Sequence, residues 1–210
     1  MNIILSATNV TFQDFLSYPQ IQIEEHRTTF LCGESGCGKS TLLKLFNGTV
    51  SPSGGVLSYK GQDIATLDTI ALRQEVLLVS QTVFLFDGTI RDNFHQYYAY
   101  REIEPLSDQD IKGYLSLCCA TFDLSAPCET MSGGERQRVF IAICLSFLPK
   151  VLMLDEPTSA LDSVTADTFL ERIKTFCTAH EITLIVISHD QILADQFGDR
   201  TLFLKREVEK

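Results

Sequence analysis

The sequence predicts an α/β fold, and three observations support this prediction. In the stretch FLCGESGCGKST, residues 30–41, the end of a β-branched apolar segment leads into glycines, and a segment with helical spacing follows. Two later runs, VLML and TLIVI, are short and almost wholly apolar, which is typical of strands covered on both faces of a parallel sheet. The chain has 210 residues, 45% of them hydrophobic, which is enough for one domain with a sizeable core.

The glycines of this stretch form a phosphate-binding pattern. A strand is predicted over Thr28 to Cys32 and a helix that ends at Gly48, a natural cap residue. Between them, glycines leave backbone N–H groups free to surround phosphate oxygens, and the helix N-terminus adds partial positive charge. Lys39 is expected to reach the β- and γ-phosphates and Ser40 to ligate Mg²⁺. The residues predicted to bind nucleotide are Gly33, Glu34, Ser35, Gly36, Cys37, Gly38, Lys39, Ser40 and Thr41. The alternative is a glycine-rich turn that binds nothing.

Composition narrows the class of protein. A net charge of −10 argues against a nucleic-acid partner. No apolar run approaches the ~18–20 residues that a membrane helix needs, and MNIILSATNV lacks the features of a secretion signal, so a cytoplasmic protein is expected. The seven cysteines lack the spacing of a metal site and are expected to be buried, reduced thiols.

Two carboxylates and a histidine follow the later apolar runs. Asp155 and Glu156 end the first, whose strand is expected to lie beside the strand that precedes the glycines. Asp155 then holds Mg²⁺ through its water shell, and Glu156 faces the γ-phosphate and the attacking water. His189 follows the second run and is expected at the same edge of the sheet, where ligands of doubly wound sheets bind. An ordinary acidic strand end and a structural histidine are the alternatives.

A second helix start with anion-binding character lies in MSGGERQR, residues 131–138, before an apolar helix predicted over Val139 to Leu148. Together with the glycine pattern, this stretch resembles the ABC ATPases, whose signature usually has leucine where Met131 stands. The resemblance continues in Gln81 (Q-loop), in SALD from Ser159 to Asp162 (D-loop) and in His189 (switch histidine). The resemblance runs from about residue 3 to residue 205, and the motifs follow one another in the same order as in the family.

The resemblance implies a P-loop NTPase fold: a RecA-like core with an N-terminal antiparallel β part and a helical insert. A single domain is expected over 1–210, with the core at 1–86 and 138–210 and the insert at about 87–137. A helix of the insert is predicted to begin at a cap, Ser107, with an acidic first turn. ATP and Mg²⁺ are the implied cofactors, and the reaction is ATP hydrolysis coupled to transport. The implied catalytic residues are Glu156, His189 and Gln81, and the implied metal ligands are Ser40, Gln81 and Asp155.

The resemblance also implies partners. In ABC ATPases two subunits pack head to tail, so Ser132, Gly133 and Gly134 are expected to contact a γ-phosphate held by the other subunit. The dimer contains two copies of this chain or one copy and a second ABC ATPase. A separate integral membrane permease is expected, with this subunit peripheral on the cytoplasmic face of the membrane. The adenine is expected to stack on Phe12 or Phe15, out of the three aromatics that NVTFQDFLSYP offers.

An aromatic segment, residues 82–100, lies between Gln81 and the insert. Its six aromatic side chains either pack within the insert or form an interface, and in the family a permease helix binds here. LFDGTIRDNF resembles exporter-type ABC ATPases, including the small ATPases of metal-stress permeases. The alternatives are a soluble ABC ATPase of iron–sulfur assembly or translation, and a DNA-repair or chromosome ATPase. The single acidic cassette without coiled coils disfavours the translation and chromosome classes.

Overall fold

The computed structural model describes residues 2–13 and 15–205, which form two β-sheets and seven α-helices. The strands are β1 (Ile3–Phe12), β2 (Leu16–Glu24), β3 (Thr28–Cys32), β4 (Gly54–Tyr59), β5 (Gln62–Asp63), β6 (Val76–Val79), β7 (Val151–Asp155), β8 (Thr183–Ile187) and β9 (Arg200–Phe203). The helices are α1 (Lys39–Phe46), α2 (Thr69–Glu75), α3 (Ile90–Tyr100), α4 (Asp108–Leu117), α5 (Gly133–Ser146), α6 (Ser163–Ala179) and α7 (Gln191–Phe197).

The smaller sheet is antiparallel, with the strand order β2-β1-β4-β5. Apolar residues alternate along its strands, so that Ala7 of β1 lies opposite Ile21 on one side and Leu57 on the other. The predicted N-terminal antiparallel part is therefore confirmed. Its continuation into β4 and β5 was not predicted, because this pairing joins β1 to residues about 50 positions later, which no local pattern reveals.

The larger sheet is parallel, with the order β6-β7-β8-β3-β9. The prediction that the strand ending in Asp155 lies beside the strand before the glycines is wrong, since β8 lies between β7 and β3. Leu184 of β8 pairs with Thr28 on one side and with Leu152 on the other. All three strands are buried along their whole length, and a wholly apolar run shows that a strand is inner without showing its neighbours.

The parallel sheet is the middle layer of the molecule. Along β7, Leu152 and Leu154 face a core that the helices α3 to α7 complete. Val151 and Met153 face the opposite core, which α1 and the antiparallel sheet complete. Successive side chains of a strand point to opposite faces, so these five-residue strands are buried at every position and largely apolar. This layering brings the start of α1 close to the carboxyl end of β7.

The helical insert contains α3 and α4, and Ser107 caps α4 by accepting from the Asp110 N–H, as predicted. The apolar helix predicted over Val139 to Leu148 is α5, which begins at Gly133 and ends at Ser146, so its predicted bounds are wrong. Glycines favour a loop by propensity, but a capping box at Ser132 starts the helix before them. The insert boundaries at about 87 and 137 stay a prediction.

All seven cysteines are free; six of them are buried, as expected, whereas Cys119 is only partly buried. Within residues 2–13 and 15–205, no helix combines the length and the apolar character that a membrane span requires. The same residues contain no group of His, Cys, Asp and Glu arranged to hold a metal ion by themselves.

Candidate functional site

The glycine loop joins the end of β3 to the start of α1 and keeps its backbone bare. Gly33 and Gly38 have φ angles of +143° and +98°, in the left-handed region that favours glycine. A Cβ atom at Gly33 would also collide with the carbonyl oxygen of Leu204, which lies just after β9. Neither position can carry a side chain without moving the loop, so the glycine spacing is a requirement of this geometry.

Lys39 is the first residue of α1, and its side chain folds back over the loop. Its Nζ donates to the carbonyl oxygens of Gly33 and Glu34, both at 2.9 Å, and the residue is only 6% exposed. Gly38, the N-cap, has no side chain that could accept from the N–H groups of the first turn. Those donors lie next to the ammonium group, and together they suit an anion.

The other predicted loop residues differ in exposure. Ser35 and Gly36 are exposed at the tip of the loop, whereas Ser40 and Thr41 are partly buried in the first turn of α1. Cys37 is buried, and its amide donates to the Glu34 carbonyl at 3.3 Å. The loop is thus a closed turn with a solvent-facing tip.

Tyr18 supports the loop from the antiparallel sheet. Its phenol is 2% exposed and donates to the Gly38 carbonyl oxygen at 2.8 Å. Burial raises the pKa of Tyr18 above its usual value, with the nearby Cys37 thiol contributing in the same direction, so the phenol stays a donor. In the sequence, Tyr18 stands only as one of three aromatic candidates near the adenine. The signal for this other role was its position two residues after Leu16, on the same, buried face of β2.

The two adenine candidates lie on either side of the turn between β1 and β2. Phe12 is partly buried and packs against the core between α1 and the sheets. Phe15 is 51% exposed, and its amide donates to the Phe12 carbonyl at 3.5 Å. The stacking role of either residue stays a prediction.

Asp155 meets the start of α1 at the carboxyl end of β7. It is 7% exposed, and its carboxylate lies next to the Ser40 side chain. Burial raises the pKa of Asp155; the Ser40 side chain opposes this, and the neighbouring Glu156 charge adds to it. A hydroxyl and a carboxylate side by side are oxygen donors of the kind that Mg²⁺ prefers.

Glu156, His189 and Gln81 come together at the same edge, as the sequence predicts for His189. The Oε1 atom of Glu156 is 2.8 Å from His189 Nε2, and its Oε2 atom accepts from Gln81 Nε2 at 3.4 Å. The Glu156 side chain is 26% exposed, so water reaches it. The carboxylate is therefore oriented from both sides and accessible to solvent, as a general base requires.

The signature residues lie at the N-terminus of α5. Ser132 forms a capping box with Glu135, whose carboxylate accepts from the Ser132 amide and hydroxyl, both at 2.8 Å. A Cβ atom at Gly134 would come within 2.8 Å of Ala160, whereas one at Gly133 would meet nothing within 4 Å. Gly133 also has no positive φ. Packing explains the glycine at 134, and nothing within the described chain explains the glycine at 133.

The aromatic segment divides between core and surface. Phe94 and Tyr98 are buried, which agrees with packing inside the insert. Phe84 and Tyr100 are 64% and 67% exposed, and both rings contact Phe86, at centroid distances of 4.9 and 5.7 Å. Tyr97 completes this group by contacting Phe86 at 5.3 Å. We refer to Phe84, Phe86, Tyr97 and Tyr100 as the aromatic patch.

Comparison with known proteins gives a family match over most of the chain. The family model described as "ABC transporter" matches residues 16–159. The phosphate import ATP-binding protein PstB of Campylobacter jejuni is 33% identical over 195 residues, covering 87% of this chain and 78% of that protein. The probable iron export ATP-binding protein FetA of Escherichia coli is 37% identical over 163 residues, covering 77% of this chain and 72% of that protein.

Solved structures give the same result for the fold. The structure of CbiO1 from Clostridium perfringens, part of the ABC transporter complex CbiONQ, matches with a TM-score of 0.82 and 25% identity, covering 98% of this chain and 86% of that one. A bacterial Atm1-family ABC exporter with ATP bound matches with a TM-score of 0.85 and 27% identity, covering 98% of this chain and 38% of that one. The predicted α/β fold with a P-loop is thereby confirmed.

Proposed function

The chain belongs to the ABC transporter family and is an ATP-binding, ATP-hydrolysing subunit, and we propose that it works as a dimer to energise a separate integral membrane permease. The observation that carries the proposal is the convergence of Asp155, Glu156 and His189 at the end of the parallel sheet that also bears the P-loop. Peripheral attachment to the cytoplasmic face of the membrane follows from this role.

The P-loop is the proposed triphosphate site. The bare backbone from Gly33 to Ser40 and the first-turn N–H groups of α1 surround the phosphates, and Lys39 exchanges its two carbonyl partners for phosphate oxygens. Phe12 or Phe15 stacks on the adenine. The exposed face of Phe15 makes it the more accessible of the two rings.

Mg²⁺ fits the oxygen donors beside the P-loop. The Ser40 and Asp155 side chains lie next to each other, and Gln81 lies at the same edge through its contact with Glu156. The ion, when bound, neutralises charge on the phosphates. Asp155 is held by burial next to Ser40, so its carboxylate is positioned for this role before the ion arrives.

Glu156 is the proposed general base. It takes up a proton from the attacking water, while His189 and Gln81 fix the orientation of its two oxygens.

Each ATP site is proposed to be completed by a second subunit. Gly133 lies on the surface at a helix N-terminus, where its lack of a side chain serves no contact within the described chain. A close approach by a phosphate bound to the partner explains it. The cleft of about 410 Å³ beside Glu156 and His189 is bordered by Ile192, which is 74% exposed and would be covered in such a dimer.

The aromatic patch is the proposed permease contact. Its two most exposed rings, Phe84 and Tyr100, lie on a segment that begins directly after Gln81. Exposed aromatic groups of this kind are typical of the centres of protein interfaces. A permease seated here would contact the segment that follows Gln81. Gln81, Glu156 and His189 lie at the carboxyl ends of the parallel strands, which we refer to as the catalytic edge.

The test is dimerisation of a variant that binds but does not hydrolyse ATP. Glu156→Gln keeps the shape of the side chain but removes the base, so hydrolysis should fall by about 10²–10⁴-fold. Bound ATP then persists and should hold the dimer together by mass action. Adding Ser132→Arg should restore the monomer, while Ser116→Arg, at an exposed position of α4, should not. Light scattering coupled to gel filtration measures the mass with saturating ATP and Mg²⁺.

Three results would contradict parts of the proposal. Parental hydrolysis by Glu156→Gln would remove Glu156 from the role of base. A hydrolysis-deficient variant that stays monomeric would contradict ATP-driven dimerisation of the isolated subunit. Equal dimerisation with and without Ser132→Arg would exclude the N-terminus of α5 from the composite site.

A further inference from the structure

Gln137 is a buried amide between two strand ends of the catalytic edge. It lies on α5 and is 4% exposed. Its Nε2 atom donates to the Ser80 carbonyl oxygen at 3.3 Å and to the Asp155 carbonyl oxygen at 3.1 Å. Ser80 follows the end of β6, and Asp155 is the last residue of β7. One amide group therefore ties α5 to the ends of two neighbouring parallel strands.

Each of these carbonyl groups belongs to the residue just before a proposed catalytic residue. Gln81 follows Ser80, and Glu156 follows Asp155. We propose that Gln137 is a positioning residue, which couples the placement of α5 to the placement of Gln81 and Glu156. The inference rests on the roles proposed for those two residues.

The chemistry of the contact favours an amide. Both partners are carbonyl oxygens, which only accept, so the side chain between them must supply two N–H donors. A primary amide supplies both from one nitrogen without a charge, whereas a buried lysine would add an unpaired charge. A carboxylate would place negative oxygens against two acceptors, and an apolar side chain would leave both carbonyl groups without this donor.

The helix connects this contact to the proposed partner site. Ser132 caps α5 five residues before Gln137, a distance of about 7–8 Å along the axis at 1.5 Å per residue. Arg136, the preceding residue, donates to the carbonyl oxygens of Cys128 and Leu85. Because these contacts lie on one helix, a shift of its N-terminus when a partner's phosphate binds would move Gln137 and, through it, the two strand ends.

The experiment compares Gln137→Met and Gln137→Glu with the parent in steady-state ATP hydrolysis from pH 6 to pH 8.5. Gln137→Met should lower kcat about 10-fold while KM changes less than about 2-fold, because carbonyl groups at the catalytic edge lose a donor and the P-loop is untouched. Gln137→Glu should lose about as much kcat at pH 8.5 and recover towards pH 6, because a buried carboxyl group is protonated more readily and then donates.

Asn93→Asp is the matched control. Asn93 is also fully buried and donates from Nδ2 to the carbonyl oxygens of Phe86 and Thr89, away from the catalytic edge. It makes the same amide-to-acid change, so any general effect of a buried acid on stability appears in both variants. Thermal melts at each pH give the folded fraction, to which kcat is normalised. Only Gln137→Glu should show the acid-side recovery of normalised kcat.

The possible outcomes distinguish a failure of the positioning role of Gln137 from a failure of the proposed function. If the parent does not hydrolyse ATP, or if Glu156→Gln is as active as the parent, the proposed function fails. If both behave as expected but Gln137→Met keeps parental kcat, the positioning role of Gln137 is wrong. A pH profile of Gln137→Glu that matches Asn93→Asp would likewise overturn it. If Gln137→Glu does not fold, Gln137→Met decides alone through its split between kcat and KM.

Discussion

Asp155→Asn should make the free protein more stable while it abolishes Mg²⁺-dependent hydrolysis. Asp155 is 7% exposed, and burial raises its pKa above the ordinary aspartate value. A raised pKa means that folding disfavours the ionised form, so at neutral pH the charged carboxylate destabilises the free protein. The isosteric asparagine removes this charge and its repulsion from Glu156, and its carbonyl oxygen can accept from the Ser40 hydroxyl.

The sign of the pH dependence follows from the direction of the shift. Below the pKa of aspartate in the unfolded chain, both states are protonated and the substitution should change little. As pH rises through the raised pKa, the destabilisation of the parent grows to its full size, so the advantage of Asp155→Asn is largest at pH 7 to 8. Removal of this buried charge should stabilise the free protein by about 1 kcal/mol, which corresponds to a Tm increase of about 2–4 °C for a domain of this size.

Thermal melts in EDTA from pH 5 to pH 8 measure this effect, and Asp199→Asn is the matched control. Burial raises the pKa of Asp199, but hydrogen bonds from Lys174 and the Thr28 amide outweigh it and hold that pKa below its usual value. Loss of that carboxylate should therefore lower Tm at neutral pH. A lower Tm for Asp155→Asn than for the parent at pH 8 in EDTA would refute the reasoning.

Two further substitutions test the loop support and the aromatic patch. Tyr18→Phe removes the 2.8 Å hydrogen bond to the Gly38 carbonyl oxygen, which still accepts from the Leu42 amide. ATP binding should therefore weaken about 5-fold, equivalent to about 1 kcal/mol, in a fluorescent-nucleotide titration. An unchanged Kd would contradict a role of Tyr18 in shaping the loop. Phe84→Ser with Tyr100→Ser should leave basal hydrolysis unchanged but weaken binding to the reconstituted permease at least 10-fold; equal permease affinity would exclude the aromatic patch as the contact.

Local sequence patterns predicted where several candidate site residues lie, because these residues directly follow strands. The P-loop glycines have positive φ angles, which glycine adopts more readily than any other residue, so the glycine pattern itself indicates the loop conformation. Asp155 and His189 end apolar runs, and parallel strands bring such ends to one edge. The predicted contact between β7 and β3 is wrong, because β3, β7 and β8 are all buried and largely apolar, and nothing in their composition distinguishes one neighbour from another.

Contacts between distant segments could not be predicted in the same way. Tyr18 reaches Gly38 from another sheet, and Gln137 reaches two strand ends from a helix. Both side chains are buried polar groups, and their partners are backbone carbonyls, which every residue carries. A sequence shows that such a group needs a partner, but only the packing of the layers identifies which carbonyl it meets.

Adjacent positions at the end of β7 have opposite environments, and one backbone angle explains this. Asp155 is buried against Ser40, whereas Glu156 has a φ of +51° and turns its carboxylate towards His189. The Glu156 amide donates to the Ile187 carbonyl at 3.2 Å, so the end of β8 holds this turn in place. A non-glycine residue in this conformation costs about 1–3 kcal/mol, and the surrounding structure must offset it. The fold therefore gives up stability at the point where a proposed metal ligand and a proposed base must diverge from neighbouring positions.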